Sequence, residues 1–373
     1  MKYYIIAGEA SGDLHASNLM AELKKTDPQA EFRCWGGDRM QSQGATLVKH
    51  IRDISFMGFT EVVANLRTIM KNISLCKSDL VQYRPDLLIL VDYPGFNLRI
   101  AEYAKEKGLR VFYYISPQVW AWKQSRVKKI RRVVDRMYVI LPFEKDFYAR
   151  FGYEVDFVGH PLLDAIDQFR KGEGKHSFLN EIKTGERPLI ALLPGSRRQE
   201  IRNMLKTMLS VVPSFPAYQF VIAASTDIPD SVYLETIGEL PVKIVRGQTY
   251  GLLSNARAAL VTSGTATLET ALFNVPEAVC YKGSRISFEI AKRLVKIKYI
   301  SLVNLILDKS AVREFIQKDL NTDHLREELS RLLDESAYRQ QMLDDFRKLQ
   351  EMLGGPGASA ITARMMTQRL QSS

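Results

Sequence analysis

Short apolar runs alternate with amphipathic helical stretches along almost the whole chain. In the first half, Tyr3–Ala7, Glu31–Trp35, Leu87–Val91, Val111–Ile115, Met137–Leu141 and Val155–Val158 read as strands. Between them, Asp13–Lys25 and Ile100–Lys107 place apolar residues at helical spacing. Strands joined by crossover helices build a parallel sheet covered on both faces. The polar, glycine-rich segment Gln168–His176 interrupts this pattern as an interdomain linker would. A second series then begins, with Leu189–Leu193, Gln219–Ala223, Val242–Val245, Ala258–Val261 and Ala278–Tyr281 as its strands. From about Asn321 to Gln371 the pattern is helical only, broken at Gly354-Gly355-Pro356-Gly357.

The pattern predicts an α/β chain of two doubly wound, Rossmann-like parallel-sheet domains, residues 1–170 and 176–340, with terminal helices over 341–373. The last helices either return to the first domain or reach a partner chain. Two such domains facing a cleft are the arrangement of GT-B glycosyltransferases, although a fold alone does not fix chemistry.

Composition narrows the classes. With 373 residues and 46% hydrophobic content, the chain can bury two cores. Cys34, Cys76 and Cys280 are far apart, which argues against a disulfide framework or zinc site and for a reducing compartment. The apolar start before Glu9 is too short for a signal peptide, and no run approaches the roughly 20 residues that span a bilayer. A cytoplasmic protein without a transmembrane anchor is expected. The net charge of +10 calls for an anionic partner: nucleic acid, an acidic membrane surface or phosphorylated substrates. No RNP, KH or zinc-finger signature supports the first.

Candidate chemistry lies in loops after strands, where open parallel sheets bind ligands. In Gly8-Glu9-Ala10-Ser11-Gly12-Asp13 two glycines allow close backbone approach, and Ser11 and Asp13 either cap the next helix or touch substrate. It is neither G-x-G-x-x-G nor a P-loop. In Asp92-Tyr93-Pro94-Gly95-Phe96-Asn97, Asp92 ends a buried run, so desolvation would raise its pKa toward general-base use. Alternatively it orders the Pro-Gly turn. In Leu193-Pro194-Gly195-Ser196-Arg197, Gly195 and Ser196 open a turn and Arg197 offers a diphosphate a bidentate fork. In Ser263-Gly264-Thr265-Ala266-Thr267-Leu268-Glu269, a turn leads from a strand into a helix whose N–H groups suit a phosphate. Thr265 either caps that helix or meets the phosphate, and Glu269 lies one turn further in, within reach of sugar hydroxyls.

No D-x-D and no cluster of His, Asp or Glu at ligand spacing appears, so neither a metal nor a cofactor is expected. Backbone N–H groups, a helix N-terminus and arginine would then meet the charge of a bound diphosphate. Phe59, Val62, Val63, Leu66, Ile69, Met70 and Ile73 form a helical stripe that is either core or membrane-facing. Trp120, Trp122, Lys123, Arg126, Lys128, Lys129, Arg131 and Arg132 crowd after a strand, suited to anionic lipid or an acceptor phosphate. The alternative is a solvated helix face with Val127, Ile130 and Val134 on its buried side.

These loops, together with Ser116-Pro117-Gln118-Val119-Trp120-Ala121-Trp122, Leu141-Pro142-Phe143-Glu144, Val158-Gly159-His160-Pro161 and Ser301-Leu302-Val303-Asn304-Leu305, closely resemble the lipid-A-disaccharide synthase family. The resemblance covers nearly the whole chain, and the Ser-Pro-Gln-Val-Trp-Ala-Trp string is its most specific block. It implies an inverting GT-B glycosyltransferase that joins UDP-2,3-diacylglucosamine to 2,3-diacylglucosamine 1-phosphate through a β-1,6 link and releases UDP. It implies Asp92 as the base, Glu9 and Asn304 at the active site, and Arg197 with Ser263–Glu269 around UDP. It also implies peripheral contact with the cytoplasmic face of the inner membrane, and it admits a homodimer. Gly95 stands where some members carry a second acid, leaving Asp92 the sole acid of its loop. The rival on the same scaffold is another UDP-N-acetylglucosamine enzyme, an epimerase or a muramyl-lipid glucosaminyltransferase.

Overall fold

The structure, a computed structural model, describes residues 1–54, 65–122, 124–172, 178, 182, 187–226, 228–283 and 298–371. It divides into two compact units, Met1–Asp164 with Gly355–Ser373, and Ala165–Gly354.

Unit 1 holds seven strands: β1 (Lys2–Ala7), β2 (Glu31–Gly36), β3 (Thr46–His50), β4 (Leu87–Val91), β5 (Val111–Tyr114), β6 (Arg136–Val139) and β7 (Asp156–Phe157). They pair in parallel in the order β3-β2-β1-β4-β5-β6-β7. Tyr3–Ala7 and Leu87–Val91 have no solvent exposure, because helices cover both faces of the central strands. The chain lays β1, β2 and β3 toward one edge, then crosses back past β1 to lay β4 to β7 toward the other. The β1/β4 boundary is therefore a topological switch point, with Ala7 and Val91 as register partners at its carboxyl end.

The helix Leu66–Tyr83 is pinned to this sheet by a buried polar network. Tyr4 donates to Asp79 at 2.7 Å, Arg33 grips both Asp79 oxygens, and the Trp35 indole donates to Tyr4 at 2.8 Å. The terminal helix Ala358–Gln371 belongs to unit 1 and packs on the helix Ala10–Thr26. The Asp164 carboxylate accepts from the Ser359 N–H at 2.9 Å and from the Gly357 N–H, holding that helix at its start.

Unit 2 holds β8 (Leu189–Leu193), β9 (Gln219–Ala224), β10 (Val242–Arg246), β11 (Ala256–Thr262), β12 (Glu277–Tyr281) and β13 (Arg313–Ile316). They are parallel in the order β10-β9-β8-β11-β12-β13, so the switch point falls between β8 and β11, where Leu193 pairs with Val261. The helices Thr322–Asp334 and Ser336–Leu353 stay with this unit. Leu325, Leu329, Leu332, Phe346 and Leu349 are fully buried on them; removing one such side chain from water contributes about 1.5–3 kcal/mol.

Two strands, β3 and β13, are absent from the sequence reading above. Both are outermost in their sheets, and their Lys49, His50, Arg313 and Glu314 break the apolar run that marks an inner strand.

Candidate active site

The sequence-singled loops all leave the carboxyl ends of strands at the two switch points. In unit 1, Gly8–Asp13 follows β1 and Asp92–Asn97 follows β4. The backbone there is strained: Asp92 and Tyr93 are left-handed, at φ 44° and 49°, and so is the β-branched Ile115 just after β5, at φ 64°. Non-glycine residues pay for such angles and concentrate at functional sites.

Neighbours fix the strained turn. The Asp92 carbonyl accepts from Asn97 Nδ2 at 2.7 Å and from the Tyr113 hydroxyl. The Tyr93 hydroxyl donates to the Ile54 carbonyl at 2.8 Å, and its ring lies over Gly8. These bonds engage the backbone carbonyl of Asp92, not its carboxylate. Burial pushes that carboxyl up to about 7, helped by the nearby Glu9 charge and opposed by the Tyr93 backbone N–H.

Glu9 stands at the N-cap position of the helix Ala10–Thr26, where no side chain caps the N–H groups. Ser11 is exposed. Asp13 has other work: its oxygens accept from the N–H groups of Gly37, Arg39 and Met40, at 2.7, 3.1 and 3.2 Å. It anchors the start of the short helix Asp38–Ser42 and is almost fully buried.

Sequence reasoning assigned no role to Glu144, yet it organises the next loop. Its side chain is buried and accepts from the N–H groups of Ile140 and Leu141 at 3.3 and 3.0 Å. Burial raises its carboxyl to about 7, while the hydrogen bonds from the Leu141 and Ile140 N–H groups oppose the shift. Glu144 thus closes the Leu-Pro-Phe-Glu turn on itself, while the Ser116 hydroxyl meets that of Tyr148 at 2.7 Å. Trp120 is buried edge-on against Phe143, centroids 5.0 Å apart, so it does not offer a surface to lipid. On the helix Arg126–Val133, Val127, Ile130 and Val133 face inward, while Lys129 and Arg132 pair with Glu102. Lys123, and Phe59, Val62 and Val63 of the apolar stripe, lie outside the described residues. Of that stripe, Leu66 and Met70 are exposed and Ile73 is buried.

In unit 2 the two phosphate-directed loops leave the neighbouring strands β8 and β11. Gly195 has φ +107°, and a β-carbon there would lie 2.5 Å from Glu200 Oε2 and 3.3 Å from Thr262 Cγ2, so only glycine fits between the loops. Ser196 and Arg197 are exposed, and Arg197 pairs with Glu200 at 3.1 Å. The helices Arg198–Leu209 and Thr265–Leu272 both start without a side-chain cap. Gly264 holds the cap position of the second, so Thr265 is not its cap; the Thr267 N–H bonds the Gly264 carbonyl at 3.2 Å, and the helix start carries the partial positive charge that suits an anion. Ser263 Oγ donates to the Ile300 carbonyl at 2.9 Å. Glu269 receives the Tyr250 hydroxyl at 3.2 Å; burial raises its carboxyl to about 7 and that hydrogen bond opposes the rise.

Asn304 is fully buried and satisfied within its own loop. Its amide donates to the Val312 carbonyl and Glu314, and its oxygen accepts from the Ala311 and Val312 N–H groups, all at 2.8–2.9 Å. It ties the helix Leu302–Leu307 to β13. Among the described residues no group of three or more His, Cys, Asp or Glu is arranged to hold a metal ion, and no helix is long and apolar enough to cross a membrane.

Comparison with known proteins gives the family and the fold. The family model described as "Lipid-A-disaccharide synthetase" matches residues 3–359. Lipid-A-disaccharide synthase of Trichlorobacter lovleyi is 38% identical over 99% of this chain and 97% of its own. That of Syntrophus aciditrophicus is 39% identical over 97% of this chain and 96% of its own. Among solved structures, UDP-GlcNAc 2-epimerase from Neisseria meningitidis bound to UDP-GlcNAc aligns with TM-score 0.72 at 13% identity, covering 99% of this chain and all of that one. The calicheamicin glycosyltransferase CalG4 aligns with TM-score 0.60 at 16% identity, covering 99% of this chain and 98% of its own. At these identities the structural likeness concerns the fold alone.

Proposed function

The chain belongs to the lipid-A-disaccharide synthetase family, and from that premise we propose that it joins UDP-2,3-diacylglucosamine to 2,3-diacylglucosamine 1-phosphate. The acceptor's 6-hydroxyl oxygen attacks the donor's anomeric carbon. The bond from that carbon to the diphosphate breaks, UDP leaves with the electron pair, and the new β-1,6 link has inverted configuration.

Each unit supplies one half of this chemistry. Asp92 in unit 1 takes the proton of the attacking hydroxyl; a carboxyl raised to about 7 is matched to that task near neutral pH. Glu9 keeps its pKa high through like charge. In unit 2, Arg197, the Gly195–Ser196 turn and the N-terminus of Thr265–Leu272 stabilise the charge that develops on the diphosphate. Glu269 takes the ribose hydroxyls.

The observation that carries this reading is the coincidence of motif and topology: the loops holding Glu9 with Asp92, and Arg197 with Thr265, flank the two switch points. Product analysis by mass spectrometry tests it. The disaccharide 1-phosphate should form from the two acylated sugars, and UDP-N-acetylglucosamine alone should be left unchanged. Epimerisation of the latter without disaccharide formation would replace this reading with the epimerase one. For access to acylated substrates we assign the exposed Leu66 and Met70 to a membrane surface. Replacing Leu66, Ile69 and Met70 by serine should reduce cosedimentation with anionic liposomes, and unchanged binding would remove this helix from the membrane contact.

A further inference from the structure

We propose that Tyr250 is a positioning residue for donor recognition, its hydroxyl holding the Glu269 carboxylate ready to accept a ribose diol. The inference rests on the reading of the Thr265–Leu272 edge as the UDP site. The hydroxyl donates to Glu269 Oε1 at 3.2 Å from the short helix Thr249–Leu253. Two rings hold the Tyr250 ring: Phe273 at 5.1 Å between centroids, and Phe169 edge-on at 5.6 Å. Arg170 lies over Phe273 at 5.6 Å and donates to the Leu272 carbonyl at 3.0 Å, fixing that ring in turn. Leu252 and Leu253, next along the helix, are sunk in the core of unit 2. The donor is thus immobilised before any ligand arrives, so its ordering cost does not fall on binding.

A ribose diol donates two hydrogen bonds, and only an ionised carboxylate offers both oxygens as acceptors. Burial favours the protonated form of Glu269, and the Tyr250 hydroxyl opposes it. The elements packed on the helix of Glu269 are β11, β12 and the helices Leu302–Leu307 and Ser336–Leu353. Of the titratable groups on those elements, Glu277 and Cys280 are sealed within the core, Tyr281 is half-buried, Tyr338 bonds Glu328, Arg339 bonds the Arg257 and Leu332 carbonyls, Asp344 pairs with Arg347, Asp345 pairs with Lys309, and Arg257, Lys348 and Glu351 are exposed. Among the described residues, Tyr250 is the side chain that donates to Glu269.

The test is calorimetric titration of the full-length chain with UDP between pH 6 and 8.5, comparing wild type, Tyr250→Phe and Glu269→Gln. Loss of a donor to a carboxylate that titrates near 7 should raise its pKa by about one unit. Tyr250→Phe should therefore bind about tenfold more weakly than wild type at pH 6 and within about twofold of it at pH 8.5. Glu269→Gln should bind weakly throughout. Should Glu269→Gln bind as wild type, the ribose reading itself falls. A weak Glu269→Gln beside a Tyr250→Phe that tracks wild type, or that loses affinity equally at every pH, overturns the role of Tyr250 alone.

Discussion

The ring of Tyr93 lies so close to Gly8 that a β-carbon at Gly8 would stand 2.2 Å from Tyr93 Cγ. This contact locks the loop after β1 to the loop after β4, and Asp92 sits beside it in a left-handed conformation. Gly8→Ala must push the ring aside and release that turn. Displacing a catalytic group by about an ångström costs on the order of 10²-fold in rate. Gly8→Ala should therefore lower kcat by about that factor while UDP affinity, measured by calorimetry, stays at the wild-type value.

The pH dependence of kcat/KM should report the Asp92 environment. Activity requires the ionised carboxylate, so it should fall on the acid side of an apparent pKa of about 7. Glu9 acts on Asp92 as a like charge, second to burial. Glu9→Gln removes that repulsion and should move the acid limb to lower pH. A limb that moves upward would mean that Glu9 supports the ionised form instead.

Diphosphate binding should depend on arginine and backbone and not on a metal. Arg197→Ala should lose most activity, and Arg197→Lys should recover little, because lysine cannot offer a two-pronged fork. Assays in EDTA should run at the full rate. Strict dependence on added magnesium would contradict this account of the leaving group.

Glu277 gives the fold a pH-sensitive weakness. It is fully buried on β12, neither of its carboxyl oxygens has a hydrogen-bond partner among the described residues, and burial pushes its carboxyl well above the ordinary range. The folded chain keeps a proton that the unfolded chain releases above pH ~4, so this group makes stability fall as pH rises. Glu277→Gln should remove that dependence. Its melting temperature should exceed the wild type's by about 2–4 °C at pH 8, with the gap closing toward pH 5. A gap that widens on acidification would contradict the assignment.

The inner strands were legible because a strand buried on both faces must be apolar throughout, as Leu87–Val91 and Leu189–Leu193 are. The outer strands β3 and β13 were not, since an edge strand tolerates charge. The loops of the site were legible through their residue types, but the work of individual side chains was not. Asp13 and Asn304 carry the polarity expected of substrate contacts, yet Asp13 bonds backbone N–H groups more than twenty residues away and Asn304 bonds the stretch that leads into β13. Their partners exist only once the fold does. The left-handed turn at Asp92, the anchoring role of Glu144 and the Tyr250–Glu269 pair are likewise tertiary facts with no local pattern behind them.

The division of labour between the two sheet edges is tested most directly by the behaviour of Asp92→Asn. The substitution keeps size and removes the base, while the residues assigned to UDP belong to the other unit. Disaccharide formation should fall by about 10²–10⁴-fold, the usual worth of a general base, with UDP affinity unchanged in calorimetry. Turnover at the wild-type rate, or a loss of UDP binding as large as the loss of rate, would contradict the account.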